Sequence, residues 1–147
     1  MNDFKSQLFS GKLTRKNFDS ISSLSKIASF SYPDDYVIYD SRAIYSLNWL
    51  LFKYSKSKKL FPQPKSRSPV LNRYDLNTVF ELSNKEVTYY SYKEAFHKYC
   101  KLIKQLSINQ EEPYILEMLL FSIAPDWVPE DLKNSVSLTL KCIDNQI

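Results

Sequence analysis

A single glycine stands among 147 residues, with one histidine and two cysteines. Glycine-rich phosphate loops, dinucleotide fingerprints and runs of tight hairpins each need several residues free to take positive φ. P-loop NTPases and Rossmann oxidoreductases are therefore excluded. Cys100 and Cys142 lie 42 positions apart, and with one histidine they do not make up a zinc site or a disulfide framework. The chain reads as cytoplasmic with reduced thiols, and no metal or other cofactor is expected. No apolar run reaches the ~20 residues that span a bilayer. The opening MNDFKSQLFSGK lacks the apolar core of a signal peptide, so neither membrane insertion nor secretion is expected.

Residues 1–147 suffice for one domain with a sizeable core, being 44% hydrophobic. Strand-type alternation is nearly absent, while apolar residues recur at three- and four-residue spacing, which predicts an all-α, compact multi-helix domain. A weak helical pair is expected over Asp3–Phe9 and Thr14–Ile21, broken at Gly11, followed by a short helix over Leu24–Tyr32 that stops at Pro33. The strongest pattern runs from Asp40 to Tyr54. Its two apolar sides, Ala43, Ile44, Leu47 and Leu51 on one and Tyr45, Trp49 and Phe52 on the other, predict a central helix. Beyond it, a short helix is expected over Asp75–Leu82 and an extended fragment over Val87–Tyr90. Ser91 is expected to cap a helix to Leu106. Pro113 should open an almost wholly apolar helix that Pro125 ends, and Pro129, Glu130 and Asp131 should open a last one to about Ile143.

Charge is unevenly spread. Between Lys53 and Arg73 stand seven cations, Lys53, Lys56, Lys58, Lys59, Lys65, Arg67 and Arg73, and no acid, whereas the net charge of the whole chain is only +4. Most of them fall in a basic, proline-containing loop at about 55–72. Such a belt suits phosphate contacts and salt-sensitive nucleic-acid binding, and equally a solvated linker.

Chemistry concentrates between Ser25 and Leu51. An aspartate at a helix N-cap, as Asp40 is placed, accepts backbone N–H groups and keeps its charge; it serves as a structural cap or as a stabiliser of positive charge opposite it. Lys26 is either a solvated lysine or, once deprotonated, a nucleophile. Arg42 could meet a phosphate, Asp34 or Asp35. The dense aromatics of this stretch, Tyr39, Tyr45 and Trp49 among them, are core residues or stacking partners for a flipped base. Glu117 interrupts an apolar helix and must find a partner or face a groove. His97 and the two cysteines read as structural.

With Lys26 in LSKIASF and Asp40 in VIYDSRA, residues 14–55 resemble the helix-hairpin-helix DNA glycosylase superfamily, in particular its 8-oxoguanine-glycosylase-like members. In that family a hairpin lysine precedes an apolar helix, and an aspartate opens the helix after it; here Ser22-Ser23-Leu24-Ser25 stands where the family has Pro-Gly-x-Gly. The resemblance implies a DNA-binding base-excision enzyme, a glycosylase/lyase acting on a modified base. Lys26 would attack the sugar C1′ and Asp40 would assist base expulsion. The alternative is a non-catalytic helical module with the same fold, binding nucleic acid or a protein.

Overall fold

Short polar caps, prolines and the one glycine set most of the helix boundaries. The computed structural model describes residues 2–107 and 112–139. Helix α1 (Asn2–Ser10) ends at Gly11, whose φ of 73° is the left-handed value that favours glycine. Helix α2 (Arg15–Asp19) starts under Thr14, whose hydroxyl accepts the Asn17 N–H at 3.4 Å. Helix α3 (Ile21–Ser31) stops two residues before Pro33, and α4 (Ser41–Tyr54) begins where Asp40 Oδ1 accepts the Arg42 N–H at 2.8 Å. The expected capping role of Asp40 is met.

After α4 come a two-residue strand β1 (Lys59–Leu60), α5 (Pro69–Arg73) under a Ser68 cap, and α6 (Leu76–Leu82) under an Asp75 cap. Strand β2 (Thr88–Tyr89) then pairs parallel with β1. Helices α7 (Ala95–Leu106), α8 (Pro113–Ile123) and α9 (Trp127–Ser135) complete an all-α fold in which the strand pair is a clasp. Among the described residues no helix is long and apolar enough to cross a membrane.

Helix α4 divides the core, as its two apolar sides predict. Ala43, Ile44 and Leu47 pack with Ile21, Ala28, Phe96 and Tyr99, while Tyr45, Trp49 and Phe52 pack with Leu60, Leu71, Phe80 and Val128. Helix α8 lies along α4 and also meets α7. It buries Glu117 and Leu120 and leaves Tyr114, Ile115, Met118, Leu119 and Phe121 exposed, so the nearly all-apolar helix is covered on one side only.

Four expectations are corrected. The segment 55–69 is not a solvated linker: Leu60 and Phe61 are fully buried. The Asn48 side-chain amide donates to the Phe61 carbonyl at 2.8 Å, and its oxygen accepts the Phe61 N–H at 2.9 Å. Buried backbone groups need such partners, and a loop lacking its own ladder takes them from a side chain. Helix α5 lies at residues where no helix was expected, although Ser68-Pro69 is a helix-start signal. The Ser91 carbonyl accepts from the Glu94 and Ala95 N–H groups, closing a turn, so α7 starts three residues later than a Ser91 cap would place it and Tyr92 falls outside the helix. Helix α9 starts at Trp127 and stops at Ser135, where Val136, Ser137 and Thr139 are weak helix formers. The remainder of that expected helix, with Cys142, lies outside the described residues.

Candidate functional site

Lys26 and Asp40 belong to different elements, and one buried bond fixes their relation. The Tyr39 N–H donates to Ser25 Oγ at 2.9 Å, both residues being fully buried. That bond ties α3 to the segment before α4 one residue upstream of Lys26 and of Asp40, but the Lys26 amine and the Asp40 carboxylate form no ion pair or hydrogen bond, and the acid close to Asp40 is Glu117. The Lys26 side chain is exposed and Asp40 is half-buried. On α3, Ser22, Lys26 and Ser29 follow i, i+4, i+7 spacing and share a face. Ser22 lines a hollow of ≈ 770 Å³ and Ser29 one of ≈ 290 Å³, so Lys26 stands between two concavities.

The larger hollow is a basic and aromatic groove. Arg15, Phe18, Ser22, Lys65, Tyr90 and Tyr92 are among its lining residues. Lys59 Nζ sits 4.4 Å from the Tyr90 ring centre, and the Arg15 guanidinium lies 5.3 Å from that of Tyr92 while pairing with exposed Asp19 at 3.0 Å. Cations held on ring faces present charge and stacking surface together. Among the described residues Lys56, Lys58, Lys59, Lys65, Arg67 and Arg73 make no ion pair. Lys53 differs from the other belt cations. It reaches the Asp131 carboxylate at 2.8 Å and the Ser135 hydroxyl at 2.9 Å, and Asp131 also accepts the Trp49 indole N–H at 2.8 Å. The bond to Asp131 holds the Lys53 amine above its ordinary range and the Asp131 carboxyl below its own. Lys53 is thereby committed to joining α4 and α9.

The three rings expected to stack on a base are core residues. Tyr39 and Tyr45 are buried, donating their hydroxyls to the Pro62 carbonyl at 2.8 Å and the Tyr74 carbonyl at 2.7 Å, and Trp49 is buried on Asp131. Burial pushes both tyrosine hydroxyls up from their ordinary range. None of the three offers a free ring face. Of the rings lining the basic groove, Tyr92 is half-buried, while Tyr90 is stacked on Phe61 at 4.7 Å between ring centres and carries Lys59 above it. Arg42 meets neither Asp34 nor Asp35: its guanidinium lies 4.9 Å from the Phe121 ring centre, and Asp35 pairs with Lys104 at 3.1 Å.

At the smaller hollow sits Glu117, 6% exposed and without a hydrogen-bond partner among the described residues. Burial, and then the charge of Asp40, push its carboxyl up to about 7. It therefore faces a groove, one of the two outcomes its sequence position required. His97 is structural: one ring nitrogen, Nε2, donates to the Leu8 carbonyl at 2.9 Å, and burial pushes its pKa below the ordinary value. Cys100 is buried, with its thiol pushed up to about 12 by that burial, too high for a nucleophile near neutral pH. Among the described residues no cluster of three or more His, Cys, Asp or Glu could hold a metal ion. No protein-family model, curated protein or solved structure matches the chain.

Proposed function

We propose that this protein binds nucleic acid along the groove between α2, α3 and the 61–65 segment, with exposed Lys26, one turn along α3 from the groove residue Ser22, as its glycosylase-like nucleophile and Asp40 as the acid that the family resemblance implies. The observation that carries the reading is the placement of Lys59 over Tyr90 and Arg15 over Tyr92 beside the free cations of the belt. Phosphates are drawn by the cations, and an unpaired base stacks at the half-buried Tyr92 ring.

Fluorescence anisotropy with a labelled single-stranded oligonucleotide tests the binding. Affinity is expected to fall as salt rises, with a log–log slope near −2 to −4 for about three to five neutralised phosphates. A Lys59→Ala, Lys65→Ala, Arg67→Ala variant should bind at least tenfold more weakly. Binding unchanged from low to high salt removes the nucleic-acid reading. The chemistry has its own test. On abasic DNA the neutral Lys26 amine condenses with the C1′ aldehyde and expels water, and borohydride delivers hydride to the resulting imine, leaving a stable secondary amine. A trapped adduct that disappears in Lys26→Ala is expected; binding without an adduct leaves the non-catalytic module.

A second reading, a module that docks on a protein partner, is favoured by the exposed side chains Tyr114, Ile115, Met118, Leu119 and Phe121 of α8. An apolar patch on one helix marks such a surface, and a complex formed there would be insensitive to salt.

A further inference from the structure

We propose that the hollow between α3 and α8 is a binding site for a small organic cation: an amidinium or similar planar donor on a single flat apolar ring. The walls come from Phe30, Pro33, Tyr36, Val37, Tyr114 and Met118, and the one ionisable carboxyl lining them is that of Glu117. At ≈ 290 Å³ the space is at the lower end for ligand pockets, which suits one ring. Phe30 is 83% exposed at the rim, so a ligand would also cover apolar surface that water now wets.

The chemistry of the ligand follows from what Glu117 lacks. Glu117 is 6% exposed as a residue and its carboxyl has no hydrogen-bond donor among the described residues, so what its oxygens meet is the space of the hollow. The groups that face it bring no positive charge. Asp40 at the start of α4 is an acid, and Tyr99 of α7, Tyr36 and Tyr114 are phenols, a side chain that carries no positive charge in any form. Arg42, the cation on the first turn of α4, is directed at Phe121. One acid lining an apolar, aromatic-walled space, with a second acid close to it and no cation facing it, leaves room for a cation from outside. An amidinium meets a carboxylate with two parallel N–H donors, and its ring lies against aromatic faces. The site shares no lining residue with the basic groove, so it stands or falls apart from nucleic-acid binding.

Benzamidine and its neutral near-isostere benzamide test the proposal on the full chain, followed through the Met118 methyl resonance. At pH 8 benzamidine should bind at least tenfold more tightly than benzamide, and Glu117→Gln should remove that preference while leaving benzamide binding as it was. From pH 8 to pH 6 benzamidine affinity should fall several-fold as Glu117 takes up its proton, with no such fall in Glu117→Gln. Equal binding of the two compounds, an unchanged preference in Glu117→Gln, or no shift of Met118 at millimolar benzamidine each overturns it.

Discussion

Asn48→Ala lowers the unfolding free energy by roughly 2–6 kcal/mol, read from urea denaturation, because it leaves two backbone groups unmatched at about 1–3 kcal/mol each. The Asn48 amide holds both the carbonyl and the N–H of Phe61, at 2.8 and 2.9 Å, in a fully buried environment. No strand neighbour takes over those groups, since the parallel pairing of β1 with β2 ends at Leu60 and Tyr89. Water reaches them only if the segment lifts away, which would pull the Phe61 ring off Tyr90 and Tyr99, at 4.7 and 5.9 Å between ring centres. The loss is a large share of the ~5–15 kcal/mol that holds an ordinary domain. The same clasp positions Pro62, Gln63 and Lys65 along the basic groove, so oligonucleotide affinity should fall with stability. A variant within about 0.5 kcal/mol of the natural chain would show that the Phe61 backbone finds other partners.

That clasp marks the boundary of what the sequence makes legible. Helix α4 was readable because its two apolar sides and its Asp40 cap are local patterns, each repeated over one turn of helix. The cap at Thr14 and the proline at the start of α8 were local for the same reason. The Asn48–Phe61 clasp joins residues thirteen positions apart, with no periodicity to announce it, and the surrounding lysines and prolines gave the segment the composition of a solvated loop. The same limit applied to the site. Tyr39, Tyr45 and Trp49 were visible as an aromatic cluster, but whether a ring faces a base or a core depends on which element covers it. Coverage came from distant residues: Pro62 for Tyr39, Tyr74 for Tyr45 and Asp131 for Trp49. The tie between α3 and the start of α4 likewise rests on a side-chain-to-backbone bond, between Ser25 and Tyr39, fourteen positions apart. Glu117 was legible as a misfit, since a carboxyl inside ILEMLLFSIA contradicts its surroundings whatever the fold; its closeness to Asp40 was not.

Glu117→Gln raises the unfolding free energy at pH 8 by up to about 3 kcal/mol and leaves it nearly unchanged at pH 4, at 1.36 kcal/mol for each unit of pKa displacement. Burial and the Asp40 charge lift the carboxyl from 4.5 to about 7, so the folded protein keeps this proton to higher pH than the unfolded chain does. Below pH 4.5 both states hold it and the group sets no penalty. As pH rises through about 7 the unfolded chain has already released its proton and the folded one must give it up in an unfavourable place, so stability is lost across that window. Glutamine has almost the same shape and no charge to desolvate, so the difference between the two proteins should trace this titration alone. His97 works in the opposite sense: its lowered pKa gives stability that is full above 6.5 and is lost as pH falls below it. Both proteins carry His97 in the same place, and its contribution cancels when their curves are subtracted. A difference that stays flat between pH 4 and 8 would mean that Glu117 is ionised and paired in solution, and would remove the unmatched acid on which the cation site depends. A difference that grows with pH marks a carboxyl that weakens the fold under neutral conditions, the kind of strain proteins keep where a ligand relieves it. Benzamidine added at pH 8 should then stabilise the natural chain and leave Glu117→Gln where it was.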